Sequence, residues 1–287
     1  SYFRRTEKGG IDYYPPQDVE VMHDQHGHVS GARLKADGKP VEYGGLGTMS
    51  KSKLNGVDPQ DIVDRFGADA ARLFVMFAGH PEATVEWSDA GVEGAGRFLK
   101  RLWAFAQAHV GAAQGGGTTL SAEARAARRE VHLTLKQANY DYERIQYNTV
   151  VSAGMKMLNA LEALPADAAG APGVIREGLS IALRVLYPVV PHTAWVLWRD
   201  LGFAHEHGDL LDAAWPDVDP QALVQDEIEL VLQVNGKLRG KIVVPAAADK
   251  AAIEAAARAS AEVAKHANGA PVKKVVVVPG RLVNVVV

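Results

Sequence analysis

The chain has 287 residues, 47% of them hydrophobic and 23% charged, with a formal net charge of −3 and no cysteine. Such a length supports two or more packed units, the lack of cysteine excludes a disulfide framework and any thiolate zinc site, and no apolar run reaches the roughly eighteen residues of a membrane-spanning helix. The opening run SYFRRT has neither the apolar stretch nor the cleavage site of a secretory signal, so a reducing cytoplasm is the expected compartment.

Residues 1–45 are expected to form a small β-rich unit. Val19 and Val21 alternate with Asp18 and Glu20 at the period of a half-buried strand. His26-Gly27 and Asp37-Gly38 are turn dipeptides between the short runs Val29–Leu34 and Val41–Tyr43, and Pro15-Pro16 breaks the segment before them. Residues 44–58 hold four glycines, two serines and two lysines, the composition of a loop. Asp58-Pro59 then looks like an N-cap followed by proline at the first helical position. The helix it opens runs through Ile62, Val63 and Phe66, and resumes past Gly67 with Ala70, Leu73 and Phe74.

From about 88 to 201 the spacing is helical. Ser88-Asp89 starts one helix, with Val92, Phe98, Leu99, Leu102, Trp103 and Phe105. Residues 111–118 (GAAQGGGT) form a flexible break, and a second helix follows Ser121. A third is expected from about 141 to 163, and a fourth carries Ile175, Leu179, Leu183 and Leu186. Pro188 and Pro191 punctuate, and Trp195–Leu201 gives a short last helix. Antiparallel helices with short links make a bundle. Residues 202–225 look like a linker.

Beyond it the period changes. Ile228, Leu230, Leu232 and Val234 fall on one strand face, Asn235-Gly236 is a strong hairpin signal, and Leu238–Val244 is the partner strand. Ala246–Ala267 is Ala-rich and helical, and strands Lys273–Val278 and Leu282–Val287 meet across Pro279-Gly280. The pattern is ββαββ. Residues 226–287 carry nine Lys and Arg against six acids, a local +3 within a chain of −3, and phosphate binding needs a local basic surface rather than a basic average.

The chemistry-bearing segment is Thr48-Met49-Ser50-Lys51-Ser52-Lys53. A glycine-flanked loop with hydroxyls and two ammonium groups suits a triphosphate. Lys51 can neutralise charge that develops on a leaving pyrophosphate, while hydroxyls and backbone N–H groups hold phosphate oxygens.

The run TMSKSKLNGVDP resembles the KMSKS signature of class I aminoacyl-tRNA synthetases, and Asp61–Phe74 is similar to the helix that follows it in the leucine, isoleucine, valine and methionine enzymes. Trp87–Gly94, Arg97–Trp103, Tyr147-Asn148-Thr149 and Pro191-His192-Thr193-Ala194 continue the likeness into their helical anticodon-binding domain. The signature's first lysine is Thr48 here; its main phosphate contact maps to Lys51. Three features resemble the bacterial-type leucyl-tRNA synthetases in particular. They are a β-rich stretch directly before the signature, the tail Val234–Lys241, and the ending Val277–Asn284.

That resemblance implies a multidomain, mainly α chain: a leucine-specific β-rich insertion (1–45), the signature loop and following helices of the catalytic domain (46–86), a helical anticodon-binding-type bundle (87–222) and a C-terminal tRNA-binding α/β domain (226–287). It implies a part of an ATP-dependent leucine–tRNA ligase, with Lys51 catalytic and Thr48, Met49, Ser50, Lys51 and Ser52 binding ATP. The implied partners are ATP with Mg2+, leucine, tRNA(Leu), and the N-terminal catalytic and editing domains that hold the other class I signature, without which this segment is expected to be inactive. No zinc or other metal site and no membrane partner are expected. His26-Gly27-His28 is one residue short of that other signature and lies in a turn, so it is not assigned to it.

Two basic groups are candidate tRNA contacts. Arg125, Arg128, Arg129, His132 and Lys136 recur on one helical face. Lys237, Arg239 and Lys241 alternate beside the Asn-Gly turn, which places them on one strand face. The five tryptophans are expected in core and interface packing. The rival functions are a tRNA-binding module without catalytic duty, and the same chemistry with valine or isoleucine.

Overall fold

The computed structural model describes residues 1–112, 119–224, 227–267 and 269–287. Residues 113–118 of the expected break, and residues 225 and 226 at the edge of the tail, lie outside the described residues. In chain order come strands β1 (Tyr2–Arg5), β2 (Ile11–Tyr14), β3 (Val19–His23), β4 (Val29–Leu34) and β5 (Glu42–Tyr43), then helices α1 (Pro59–Phe66), α2 (Ala68–Phe77), α3 (Asp89–Gln107), α4 (Ala122–Glu143), α5 (Tyr147–Glu162), α6 (Ala171–Leu186), α7 (Pro191–Asp200) and α8 (Phe203–His207). The tail follows with β6 (Glu227–Val234), β7 (Lys237–Pro245), α9 (Lys250–Ala259), α10 (Ala261–Ala267), β8 (Lys274–Val278) and β9 (Leu282–Val286). No described helix is long and apolar enough to cross a membrane. The residues fall into two compact units, Ser1–Ala113 with Ala138–Leu158 and Leu179–Trp215, and Gln114–Gln137 with Asn159–Gly178 and Pro216–Val287.

In the first unit, β2-β1-β5 form one small sheet and β3-β4 another, with Val19, Ala32, Leu34 and Val41 buried together. Capping sets the helix starts that follow. Asp58 accepts from Gln60 N–H with proline at N1, and Ser88 accepts from Gly91 N–H. Gly67, at φ 87°, ends α1 and starts α2, a backbone region that glycine enters without steric cost. Along α3 the buried positions are Val92, Ala95, Phe98, Leu102 and Ala106. Trp103 is not among them: it is 40% exposed.

The third helix begins later than its apolar spacing suggested. α4 continues to Glu143, and a turn with Ile145 at φ 57° precedes α5. By contrast α7 starts earlier than expected, at Pro191 itself, where the missing N–H costs nothing. Close approach of α5 to α6 depends on Gly154, where a Cβ would lie 2.5 Å from Leu186. Residues 202–215 are more ordered than a linker. They include α8, Leu210 is buried, Trp198 Nε1 donates to Gly208 O, and Trp215 Nε1 donates to Asn139.

In the second unit, β6–β9 form a sheet of order β7-β6-β9-β8, with β6 and β9 parallel. One face packs Leu230, Leu232, Val234, Val283 and Val285 against Ile253, Ala257 and Val263 of α9 and α10. Asn235 and Gly236 both have positive φ (51° and 76°), the type I′ turn expected of this pair. The Ala-rich segment is two helices rather than one, interrupted at Ser260, whose extended backbone caps α9 and whose Oγ accepts from Glu262 N–H.

Candidate functional site

The signature loop spans the gap between β5 and α1. Thr48, Met49, Lys51, Ser52 and Lys53 are exposed and Ser50 is half-buried. Lys51–Lys53 form one 3₁₀ turn, closed by Leu54 at φ 49°. Ser50 Oγ and Ser52 Oγ lie 2.8 Å apart, so two hydroxyls converge beside the Lys51 stem. What shapes the loop is Asn55. Its Oδ1 accepts from Ser50 N–H at 2.7 Å and its Nδ2 donates to Thr48 O at 3.2 Å, which ties both ends of Thr48–Ser50 to one amide. Sequence reasoning passed over Asn55; the signal available was an Asn-Gly pair directly after the lysine run. Residues 44–57 contain no acid, so the exposed ammonium groups face no neutralising carboxylate from their own loop. The arrangement can hold an anion with several oxygens.

The structure breaks up the basic face of α4. Arg128 forks onto Glu177, with Nε and Nη2 at 2.7 and 2.9 Å, and its Nη2 also donates to Asp219 at 2.5 Å. His132, only 2% exposed, meets Glu177 Oε1 through Nε2 at 3.0 Å. Asp219 N–H donates to His132 Nδ1 at 3.1 Å, so Nδ1 carries no proton and the ring's proton sits on Nε2 towards Glu177. Burial raises the pKa of Glu177, but hydrogen bonds from His132 and Arg128 outweigh it and hold the carboxyl at about 2. Asp219 is lowered by the same guanidinium and by Gln221 N–H. Arg128 and His132 therefore belong to an internal network, because carboxylates from α6 and from Asp219, invisible in the α4 spacing, reach them. Arg125 is exposed, with Nη1 on Leu120 O, and Arg129 is half-buried, its Nε without a hydrogen-bond partner among the described residues.

The expected common face of Lys237, Arg239 and Lys241 is also corrected. The β6–β7 register shifts between Leu232 and Gln233: Leu232 pairs with Gly240, but Gln233 pairs with Leu238. Arg239 is the extra residue of a β-bulge. Lys241 opposes the outward Val231, whereas Lys237 opposes the core-facing Val234, so the two lysines sit on opposite faces by register. All three remain exposed, and Lys241 pairs with Glu229 at 2.6 Å.

Residues 44–88 match the class I tRNA synthetases of the I, L, M and V group, and residues 124–255 match the anticodon-binding domain of tRNA ligase. The chain is 64% identical over 290 residues to the leucine–tRNA ligase of Leptothrix cholodnii, covering 100% of this chain and 33% of that protein. It is 61% identical over 288 residues to the leucine–tRNA ligase of Cupriavidus metallidurans, covering 100% and 32%. Among solved structures, a LeuRS of Agrobacterium radiobacter K84, in a ternary complex with tRNA and LeuAMS, aligns with a TM-score of 0.68 at 26% identity, over 83% of this chain and 30% of that one. Homology to leucine–tRNA ligases thus runs the whole length of the chain, which spans about a third of the curated relatives it matches.

Proposed function

We propose that this chain, homologous throughout to leucine–tRNA ligases, supplies the ATP loop and the tRNA-binding parts of such an enzyme. The observation that carries the proposal is the exposed, acid-free Lys51 loop, clamped by Asn55, inside the segment that matches class I synthetases. In the reaction, a leucine carboxylate oxygen attacks the α-phosphorus of ATP. The bond to the β-phosphate breaks, and pyrophosphate leaves with the electron pair. A terminal ribose hydroxyl of tRNA(Leu) then attacks the leucyl carbonyl and AMP departs. Lys51 stabilises the charge gathering on the leaving pyrophosphate, and Ser50, Ser52 and Thr48 hold phosphate oxygens. Residues 44–57 offer no carboxylate, so this loop would bind the phosphates through its ammonium, hydroxyl and backbone N–H groups and would not itself hold a magnesium ion that accompanies ATP.

The domain assignment follows the same reading: 1–45 the insertion, 46–86 the loop and following helices, 87–222 the tRNA-binding bundle and 226–287 the C-terminal tRNA-binding domain. The tRNA contacts we assign are Arg125 and Arg129 on α4, with Lys237, Arg239 and Lys241 on β7. The exposed Lys241–Glu229 pair is a weak competitor. Arg128 is withdrawn from that set because two carboxylates hold its guanidinium.

Two measurements test this. In the ligase carrying this sequence, ATP–pyrophosphate exchange with leucine exceeds that with valine or isoleucine by about 100-fold or more; an equal response to all three overturns the leucine assignment. Asn55→Ala removes both clamping hydrogen bonds and lowers the exchange rate by about tenfold, while the melting temperature stays put because the loop is exposed. Asn55→Asp keeps the acceptor for Ser50 N–H but loses the donor to Thr48 O and places a carboxylate beside the phosphates, so it recovers no activity over Asn55→Ala. An alanine variant as fast as the parent removes Asn55 from the loop's function.

A further inference from the structure

A second set of exposed cations surrounds a cleft that the signature loop does not use. A groove of about 640 Å3 lies between the α1–α2 junction, one face of α3 and the first turn of α7. Gly96, Arg97, Lys100 and Trp103 line it at helical spacing along α3, and Arg65 of α1 and His192 of α7 line it as well. Of its two acids, Asp69 is buried and accepts Thr193 N–H at 2.6 Å, so only Glu93 faces the opening. Among the described residues Arg97 and Lys100 make no ion pair, and Arg65 only lies over the Phe66 ring, 4.8 Å from its centroid.

The apolar side of the groove is as informative as the charged side. Trp103 leaves 40% of its surface exposed on a helix that buries smaller residues two turns away. Gly96 sits mid-helix, and a Cβ built there meets nothing within 4 Å. The protein's own packing gives no reason for glycine at a position where it weakens a helix, and its effect is to leave the floor of the groove open.

We propose that this groove holds a strand of tRNA with one base turned out of its stack, the base lying on Trp103 over the Gly96 floor and successive phosphates meeting Arg97, Lys100 and Arg65. The proposal rests on the reading of the chain as part of a tRNA ligase, and the site is separate from the cations assigned on α4 and β7. Cations distributed around a cleft suit the spaced phosphates of a strand, whereas a mononucleotide concentrates its charge at one end. An intact A-form helix presents no base face to an aromatic ring, so contact with Trp103 requires an unstacked nucleotide. An acidic peptide would satisfy the charges but leave the tryptophan and the open floor without an occupant.

The test is tRNA affinity as a function of salt in the ligase carrying this sequence. Gly96→Leu fills the floor with a better helix former, so its melting temperature is expected to hold or rise while tRNA binding weakens about tenfold. Trp103→Ala weakens binding by a similar factor. The double variant Arg97→Gln, Lys100→Gln reduces the slope of log affinity against log salt by about 1.4. If Trp103→Ala fails to fold, Gly96→Leu still decides, since it cannot act by destabilising α3. Unchanged tRNA affinity in both Gly96→Leu and the double variant overturns the proposal. So does a loss confined to binding of free AMP, which would make the groove a mononucleotide pocket. Leucine-dependent ATP–pyrophosphate exchange by the parent tests the enzyme assignment separately: its absence sinks that reading whatever the binding data show.

Discussion

Replacing Lys51 with alanine lowers ATP–pyrophosphate exchange in the parent ligase by about 10²–10³-fold, while tRNA affinity changes less than twofold. The size follows from what a preorganised charge at the leaving group is worth: removing one such group costs about that factor in rate. The selectivity follows from geometry. Lys51 is exposed on a loop whose own residues include no acid, the loop is held by an uncharged amide, and among the described residues Lys51 makes no ion pair that would be lost with the side chain. Lys51→Arg keeps the charge but not the compact ammonium, and recovers part of the rate. Thr48, where the family signature has lysine, takes little of this load. Its hydroxyl is exposed and its carbonyl is already used by Asn55, so Thr48→Lys changes the rate by no more than a few-fold. If Lys51→Ala instead weakened tRNA binding and spared exchange, the chain would be a binding module rather than part of the catalyst.

What the sequence made legible is local. Asp58-Pro59, Ser88 and Ser121 each open a helix, because capping joins a side chain to a backbone N–H two or three residues on. Asn235-Gly236 makes its turn because few other pairs accept positive φ twice. The signature segment was legible because its residues are contiguous, and residues 44–88 match the class I tRNA synthetases. What stayed hidden depends on distance along the chain. Nothing in the spacing of Arg125, Arg128 and His132 reveals that Glu177 and Asp219, 49 and 91 residues from Arg128, close on that face. The bulge at Arg239 is equally opaque: a period of two places Lys237, Arg239 and Lys241 together, and one extra residue is enough to part them. Asn55 lay within the matched run, but its two hydrogen bonds follow from the fold of the loop rather than from the run of residues.

The partly buried network of Arg128, His132, Glu177 and Asp219 gives the second large effect, on stability rather than rate. Glu177→Gln in the 287-residue chain leaves Arg128 with Asp219 alone and turns a charged acceptor for His132 into a neutral one. Breaking one partner of a fully buried ion pair costs about 3–5 kcal/mol. Glu177 keeps 33% of its side chain exposed, so solvent screening reduces the expected loss to about 2 kcal/mol, a fall in melting temperature of roughly 4–8 °C. The pH dependence has a definite sign. The carboxyl falls from an ordinary 4.5 to about 2 in the folded state, so its contribution is complete above pH 4.5 and is lost as pH drops towards 2. Parent and Glu177→Gln should therefore differ fully at pH 7, converge below pH 4.5 and coincide near pH 2, as followed by circular dichroism during thermal unfolding. A difference that persists undiminished at pH 2 would show that Glu177 acts through packing rather than through charge. Arg128→Lys gives an independent check at neutral pH. A lysine cannot fork across both Glu177 oxygens while also reaching Asp219, so conserving the charge should recover little of the stability if the planar fork is what holds α4, α6 and Asp219 in place.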